Sequence, residues 1–261
     1  MRALDIAGTG MQAQQTNVEV ISNNIANMTT TGYKRRRAEF QDLIYQNLRR
    51  VGANSSDSGS VVPAGAQVGL GVKTAAIYRI NEQGNLQQTN NSLDLAVRGN
   101  GYFQVTLPSG DTAYTRDGTF SLSPGGEIVT ADGHVVQPGV TVPSNATSVV
   151  INSTGQVQVT IDGQTAPTTL GQIQLAVFPN EAGLDAQGDN LFVQTAASGN
   201  PVTGSPGSPG FGSVLQGFVE SSNTNVVSEI TNLITAQRAY EMNSRVITTS
   251  DQMLSTLTNL R

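Results

Sequence analysis

Apolar residues recur every seven residues at both ends of the chain, and this pattern constrains the fold more than any other feature. The N-terminal series is Leu4, Met11, Val18 and Ile25, and the C-terminal series is Val226, Leu233, Tyr240, Ile247 and Leu254. Such a repeat lines one narrow stripe of a helix with apolar side chains. The sequence therefore predicts a helix at each end. One helix cannot bury a narrow stripe alone, so each stripe needs a partner helix.

The pattern leaves the identity of that partner open. The two helices can pair within one chain, or they can form a coiled coil that also packs against copies of the same chain. Three residues after members of the C-terminal series, Glu229, Asn243 and Ser250 are polar, whereas Ala236 is apolar. Polar residues inside a stripe can specify register at a cost in stability.

The middle of the chain has the signals of β-structure. Short alternating runs such as 102–107 and 156–161 are separated by turn pairs such as Asp117-Gly118 and Asp132-Gly133. The predicted fold class is α+β, with N- and C-terminal helices that pair as a coiled coil and a central all-β domain.

The predicted organisation has four parts. The paired helices take 1–40, with Gly32 ending the first helix, and 215–261, with Asn223 or Thr224 capping the second. An extended segment, 41–72, follows the first helix; Phe40, Leu43, Ile44 and Leu48 favour a helix or turn at its start, and 52–69 is poor in apolar residues. The β domain covers 73–200, and 201–214 is a linker rich in Gly, Pro and Ser.

Charge and composition exclude several classes of function. Residues 51–214 carry four Lys or Arg against eleven Asp or Glu, which argues against nucleic acid as a partner. The basic run 34–37 is interpreted as a solvated or inter-subunit patch. The chain has no Cys, one His and no recognisable catalytic, cofactor or metal motif. No stretch is apolar enough for a membrane span or a signal peptide, so any export is expected to occur without a cleaved signal.

Several motifs occur in order along nearly the whole chain. Ser22-Asn23-Asn24-Ile25-Ala26-Asn27 is followed by Thr31-Gly32-Tyr33-Lys34. Gly99-Asn100-Gly101-Tyr102-Phe103 and Tyr114-Thr115-Arg116-Asp117-Gly118 lie in the β region. Gly217-Phe218-Val219-Glu220-Ser221-Ser222-Asn223 precedes Ala236-Gln237-Arg238-Ala239-Tyr240-Glu241. Together these motifs resemble those of the flagellar rod and hook axial protein family. The chain length and the 41–72 segment resemble the distal rod type.

The resemblance implies a structural role and not an enzyme. It implies a helical homopolymer, a rigid tube that transmits motor torque to the hook and encloses the export channel. The motif residues it singles out are Asn23, Asn24, Asn27, Gly32, Tyr33, Asn223, Arg238 and Tyr240. The implied location is the basal body from the periplasm to the outer membrane, reached through type III export. The implied partners are further copies, proximal rod proteins, hook protein or hook junction, P-ring and L-ring proteins, and the flagellar export apparatus.

Two alternatives belong beside this interpretation. A proximal rod or hook subunit shares the terminal motifs but differs in length and in the 41–72 segment. A secreted β-domain binding module needs exposed aromatic residues in a groove, and the chain has no Trp and six Tyr.

Overall fold

The computed structural model describes residues 2–49, 64–162 and 166–259. The chain divides into two compact units. The first takes the described residues within Met1–Ile25, Arg36–Tyr78 and Asn225–Arg261, and the second takes those within Ala26–Arg35 and Arg79–Thr224. A helix at each end and β-structure between them confirm the predicted α+β class.

The first unit contains both long helices, α1 (Arg2–Ala26) and α2 (Val226–Asn259). Helix α2 is capped by Asn225, whose side-chain oxygen accepts a hydrogen bond from the backbone N–H of Ser228 at 3.2 Å. An Asn side chain at this position satisfies one of the N–H groups that have no partner within the helix. The cap thus differs from the predicted Asn223 or Thr224. Helix α1 also ends before the predicted Gly32, in a series of turns.

Four strands complete the first unit as a ribbon. They are β1 (Arg36–Asp42), β2 (Tyr45–Arg49), β3 (Ala66–Gly69) and β4 (Val72–Arg79). Strand β1 pairs with β4, and β2 pairs antiparallel with β3. The start of the 41–72 segment is therefore extended and not helical. Ile44 is 80% exposed and Leu48 is also exposed, so these apolar residues do not form a buried face of a helix. Residues 50–63 of the segment lie outside the described residues.

The second unit is built from short strands. They are β5 (Leu86–Gln88), β6 (Leu95–Arg98), β7 (Tyr102–Thr106), β8 (Thr112–Thr115), β9 (Ser121–Leu122), β10 (Ile128–Val129), β11 (Val135–Val136), β12 (Ala146–Ile151), β13 (Gln156–Ile161), β14 (Thr168–Gln172), β15 (Leu175–Val177), β16 (Asp185–Gly188), β17 (Leu191–Val193), β18 (Val202–Gly204), β19 (Ser213–Gln216) and β20 (Phe218–Glu220). In the described residues, the largest sheet runs β16-β17-β8-β7-β11-β10-β9, with β15 paired to β7 and β18 paired to β15. Strands β12, β13 and β14 form a second sheet.

The main core of this unit joins the two sheets. Val157 and Val159 alternate along β13 and pack in one cluster with Phe103 and Val105 of β7. Residues two apart on a strand point to the same face, which is why alternating valines reach one core. A smaller aromatic cluster contains Tyr114 and Phe178, whose rings meet edge to face at 4.7 Å.

Part of the predicted linker at 201–214 forms strands in the structure. Strand β18 pairs with β15, and β19 pairs with β6, so part of this Gly-, Pro- and Ser-rich stretch belongs to the β-structure. Pairing with distant strands supplies backbone hydrogen bonds that the local composition does not predict.

Candidate functional site

Glu220, at the end of β20, is the centre of a buried polar cluster in the second unit. One carboxylate oxygen accepts hydrogen bonds from Nζ of Lys34 at 2.5 Å and from the backbone N–H of Gly84 at 2.8 Å. The other accepts from Nε of Arg116 at 3.0 Å. The residue is only 1% exposed. Glu220 therefore ties together segments that are far apart in the sequence.

Arg116 extends the cluster toward a loop between strands. Its Nη1 donates to the backbone oxygens of Gly99 at 2.8 Å and Gly101 at 2.5 Å. The guanidinium also lies near the ring face of Tyr102, 5.8 Å from the ring centre. A planar guanidinium with several donors suits such a site because it can satisfy a carboxylate and carbonyl groups at once.

Lys34 supplies the second positive charge. It is 4% exposed, and Nζ also donates to the backbone oxygen of Glu82 at 2.9 Å. Burial lowers the pKa of Lys34 below its usual value of 10.5, and the nearby charge of Arg116 adds to this, while the Glu220 carboxylate opposes it. The interpretation of 34–37 as a surface patch is therefore wrong for Lys34, whereas Arg36 and Arg37 are exposed.

The lowered pKa of Lys34 predicts a pH-dependent stability. The unfolded chain holds the Lys34 proton up to about pH 10.5, whereas the folded chain releases it at lower pH. In that window proton release favours the folded state, so stability should rise with pH. We expect the free energy of unfolding to increase relative to a Lys34→Met variant as pH rises from neutral toward 10.5.

Urea unfolding of both proteins at several pH values measures this difference. The matched control is Lys73→Met, because Lys73 is exposed on β4. The change of the stability difference with pH should be clearly larger for Lys34→Met than for this control. A difference for Lys34→Met that does not change with pH would contradict the prediction.

The motif residue Asn223 holds the same region from the other side. Its side-chain oxygen accepts from the backbone N–H of Arg35 at 2.8 Å, and its amide donates to the backbone oxygens of Ile80 at 2.8 Å and Glu82 at 3.0 Å. Its own backbone N–H donates to the oxygen of Tyr33 at 3.4 Å. The Asn223 side chain therefore joins the backbone of Arg35 to the backbone of Ile80 and Glu82. Because its amide makes these bonds, Asn223 does not cap α2.

Gly32 packs tightly within this cluster. It has a φ of +69°, and its N–H donates to the backbone oxygen of Glu220 at 2.7 Å. A Cβ atom at Gly32 would lie 2.8 Å from the backbone nitrogen of Asp117, which leaves no space for a side chain. The glycine is thus needed for a close approach of backbone and a positive φ, and not to end α1. Nearby, Asn27 accepts from the hydroxyl of Thr30 at 3.1 Å.

Asn24 makes the corresponding contacts in the first unit. Its amide exchanges two 2.8 Å hydrogen bonds with the backbone N–H and oxygen of Arg36, at the start of β1. The same amide nitrogen donates to the Glu229 carboxylate of α2 at 3.3 Å. Asn24 is 1% exposed and Glu229 is also buried, whereas the neighbouring Asn23 is exposed. Asn24 thus fixes α1, β1 and α2 together.

A second contact joins the two helices closer to the chain ends. A Cβ atom at Gly10 would lie 2.9 Å from Nδ2 of Asn243, so the helices approach closely here. From Gly10 to Asn24, and from Asn243 back to Glu229, the separation is 14 residues. The helices therefore run antiparallel, with two heptads between the contacts.

The predicted apolar stripes lie beside this helix contact. All four residues of the α1 stripe are half-buried. In the α2 stripe, Val226, Leu233 and Ile247 are half-buried, whereas Tyr240 and Leu254 are exposed. Arg238 is exposed as well. The buried residues of the two helices are mostly small or polar, namely Ala7, Ala13, Val20, Ile21, Asn24, Glu229, Ala236 and Ser250. Small side chains permit close approach of helices, which leaves the larger apolar residues at the sides.

Sequence reasoning assigned no role to three residues at the centre of these contacts. Arg116 and Glu220 stood in recognised motifs, and Glu229 was an interruption of an apolar series. For Glu220 and Glu229 the available signal was a charge next to apolar residues, Phe218 and Val219 in the first case and Val226, Val227 and Ile230 in the second. Charges in such places are seldom fully buried unless they are paired. Arg116 stands beside Asp117 and carried no such signal.

The buried cluster consists of ion-paired and hydrogen-bonded side chains. No group of three or more His, Asp or Glu side chains is placed to hold a metal ion in the described part of the chain. Within residues 2–49, 64–162 and 166–259, neither long helix has a stretch both long and apolar enough to cross a membrane. The arrangement instead holds the segments next to the two terminal helices in defined positions.

Three protein-family profiles match the chain over the segments that build these contacts. Flagella basal body rod protein matches residues 4–34, Flagellar hook protein FlgE/F/G D1 domain matches 96–159, and Flagellar basal body rod FlgEFG protein C-terminal matches 215–260.

Individual proteins are similar over the full length. The chain is 60% identical to Flagellar basal-body rod protein FlgG of Caulobacter vibrioides, with 100% of both chains covered. It is 54% identical to the protein of the same name from Agrobacterium fabrum, over 98% of this chain and 97% of that protein. For the Bacillus subtilis protein of that name the identity is 38%, over 100% and 99%.

Proposed function

Because the chain belongs to the flagellar basal-body rod protein family, we propose that its two terminal helices are the surface through which copies assemble. Family membership makes the protein a structural subunit of the distal rod and not an enzyme, as the sequence motifs predicted. It also supports self-assembly and contact with other flagellar components in general. The proposal concerns how the helices achieve this.

The exposed apolar side of α2 carries the proposal. Val227 is 75% exposed, and Ile230 and Ile234 are also exposed. Their spacing of three and seven residues places them on one side of the helix, opposite Glu229, which bonds to Asn24 of α1, and the buried Ala236. Contiguous exposed apolar surface of this kind is typical of an interaction site. A second copy of the chain is the occupant that family membership favours.

In the proposed assembly, α1 and α2 pair as a coiled coil and pack against the helices of neighbouring copies. The predicted stripes (Leu4, Met11, Val18 and Ile25; Val226, Leu233, Tyr240, Ile247 and Leu254) supply the flanks of these contacts. The helices line a tube that encloses the export channel and transmits torque to the hook. The half-burial of most stripe residues supports this, because partial exposure in one chain leaves apolar area for neighbours to cover.

The finer partners and location belong to the same proposal. The expected neighbours are proximal rod proteins, hook protein or hook junction, and the P-ring and L-ring proteins. The rod is expected to extend from the periplasm to the outer membrane after delivery by the flagellar export apparatus. The resemblance of the ordered motifs to the axial family supports these assignments.

The ribbon of β1 to β4 is proposed to make the assembly stiff. Its exposed apolar side chains include Ile44, Tyr45, Leu48, Leu70 and Ile77. A two-stranded ribbon with exposed apolar groups is marginal by itself and gains stability by lying on another surface. Lying across a neighbouring copy, it would restrain the sliding between subunits that bending of a tube requires.

Electron microscopy of the concentrated protein tests both proposals. We expect the unchanged protein to form straight tubes. An Ile44→Ser, Leu48→Ser variant and a deletion of 52–69 should still assemble but give tubes with a shorter persistence length, because contacts of the ribbon are lost. The deletion also removes β3 and leaves β2 without its partner.

The matched control is Thr74→Ser, a mild change at an exposed position of β4. It should give tubes as stiff as those of the unchanged protein. Equal stiffness in all variants would refute the role of the ribbon while leaving assembly intact. An unchanged protein that stays monomeric at every concentration would refute assembly through its own helices.

A further inference from the structure

An open groove runs along the two terminal helices of the first unit. Its volume is about 750 Å³. The residues that line it are Gln15, Val18, Glu19, Gln237, Tyr240 and Glu241. The groove lies beside the helix contact described above and contains none of the residues that fix α1 to α2. It is therefore a surface that the fold of one chain does not use.

The groove has the chemistry of a site for a guanidinium group. The ring of Tyr240 is 43% exposed at its wall. The carboxylates of Glu19 and Glu241 are exposed, and neither forms an ion pair with any residue that the structure describes. Gln15 donates to Glu19 at 3.2 Å. Arginine binds both to carboxylates, through paired hydrogen bonds, and to aromatic ring faces.

Two exposed arginines stand on a neighbouring side of α2. Arg238 and Arg245 are seven residues apart, so they lie in line along the helix, about 10 Å apart. At 100° per residue they are roughly a quarter turn from the groove residues of the same helix. Glu241 precedes Arg245 by four residues, which is a favourable spacing for a pair within one helix. The described side chains nevertheless form no such pair.

We propose that the groove of one copy receives Arg238 and Arg245 from a second copy. This inference rests on the proposed self-assembly and assigns a role to the motif residues Arg238 and Tyr240. In the proposed contact one copy presents its groove and the other its arginines, and each copy uses its two surfaces toward different neighbours, which makes the contact heterologous. In a heterologous contact, one unused surface remains at each end of the assembly. When successive copies do not close into a ring, the result is an open helical filament. This is the symmetry that a rod requires.

Two complementary charge reversals test the contact in the full-length protein. The groove variant is Glu19→Arg with Glu241→Arg, and the arginine variant is Arg238→Glu with Arg245→Glu. Each alone places like charges together, and we expect each to raise the concentration at which tubes form by about tenfold or more. In an equimolar mixture every groove can meet an opposite charge. The mixture should assemble within about threefold of the unchanged protein, as alternating copies.

The outcomes separate this inference from the proposed function. Circular dichroism establishes that both variants are folded, and Asp251→Arg is the control for a charge reversal elsewhere on α2. Rescue in the mixture establishes contact between copies, because no effect within one chain can be repaired by a second chain. If either variant alone assembles as well as the unchanged protein, or if the folded mixture stays monomeric, the contact is refuted while assembly stands. If the unchanged protein itself does not assemble, the proposed function fails first.

Discussion

Replacing Glu220 with Gln is expected to lower the free energy of unfolding of the β-rich unit by about 3–5 kcal/mol. The carboxylate is the shared partner of Lys34 and Arg116, and all three side chains are nearly inaccessible to solvent. Glutamine keeps the size and one acceptor oxygen but leaves two buried positive charges without a counter-charge. Removing one member of a buried ion pair is strongly destabilising for this reason.

The matched control is Glu82→Gln. Glu82 forms an ion pair with Arg35 at 3.7 Å, and its side chain is mostly exposed to solvent. Exposed pairs contribute between zero and about 1 kcal/mol, so this variant should unfold almost as the unchanged protein does. Urea unfolding at neutral pH measures both. Equal effects of the two substitutions would mean that the buried cluster does not stabilise the unit.

Replacing Leu233 with Asp is expected to prevent assembly while leaving the β-rich unit unchanged. Leu233 is a half-buried member of the predicted apolar series of α2. A carboxylate at a position covered by a neighbouring helix costs several kcal/mol. Since 1.4 kcal/mol corresponds to a factor of ten, the concentration needed for assembly should rise at least about a hundredfold.

Asn232→Asp adds the same charge one residue earlier, at an exposed position, and is the control. It should assemble nearly as the unchanged protein does. Sedimentation measures assembly, and thermal unfolding monitors the β-rich unit. Normal sedimentation of the Leu233→Asp protein would show that this position does not face another copy.

The sequence predicted the elements whose signals are local. The seven-residue series predicted both helices, and alternation with turn pairs predicted strands such as β7 and β13. The family motifs also predicted the rod assignment that the relatives confirm. Helices and strands can be predicted because each places its side chains with a characteristic period, and that period is visible within a single segment of the sequence.

The features that the sequence did not predict depend on distant partners. Strand β1 exists because β4 supplies its hydrogen bonds. The apolar spacing from Phe40 to Leu48 favoured a helix or turn, whereas the structure has strands β1 and β2 there. The burial of Lys34 depends on Glu220, which follows 186 residues later. Lys34 lies in a run of four basic residues, and nothing in the neighbouring sequence indicates that it pairs with a distant carboxylate.

The position of Glu220 near the end of the chain has a consequence for the order of folding. A polypeptide that lacks its last segment brings Lys34 and Arg116 toward the interior with no carboxylate to receive them, and that state is unfavourable. The closing contacts span 104 and 186 residues of sequence, and contacts over such separations form slowly because long loops must close first. We therefore expect an N-terminal fragment that lacks Glu220 to have no stable second unit, because Lys34 and Arg116 then have no buried counter-charge.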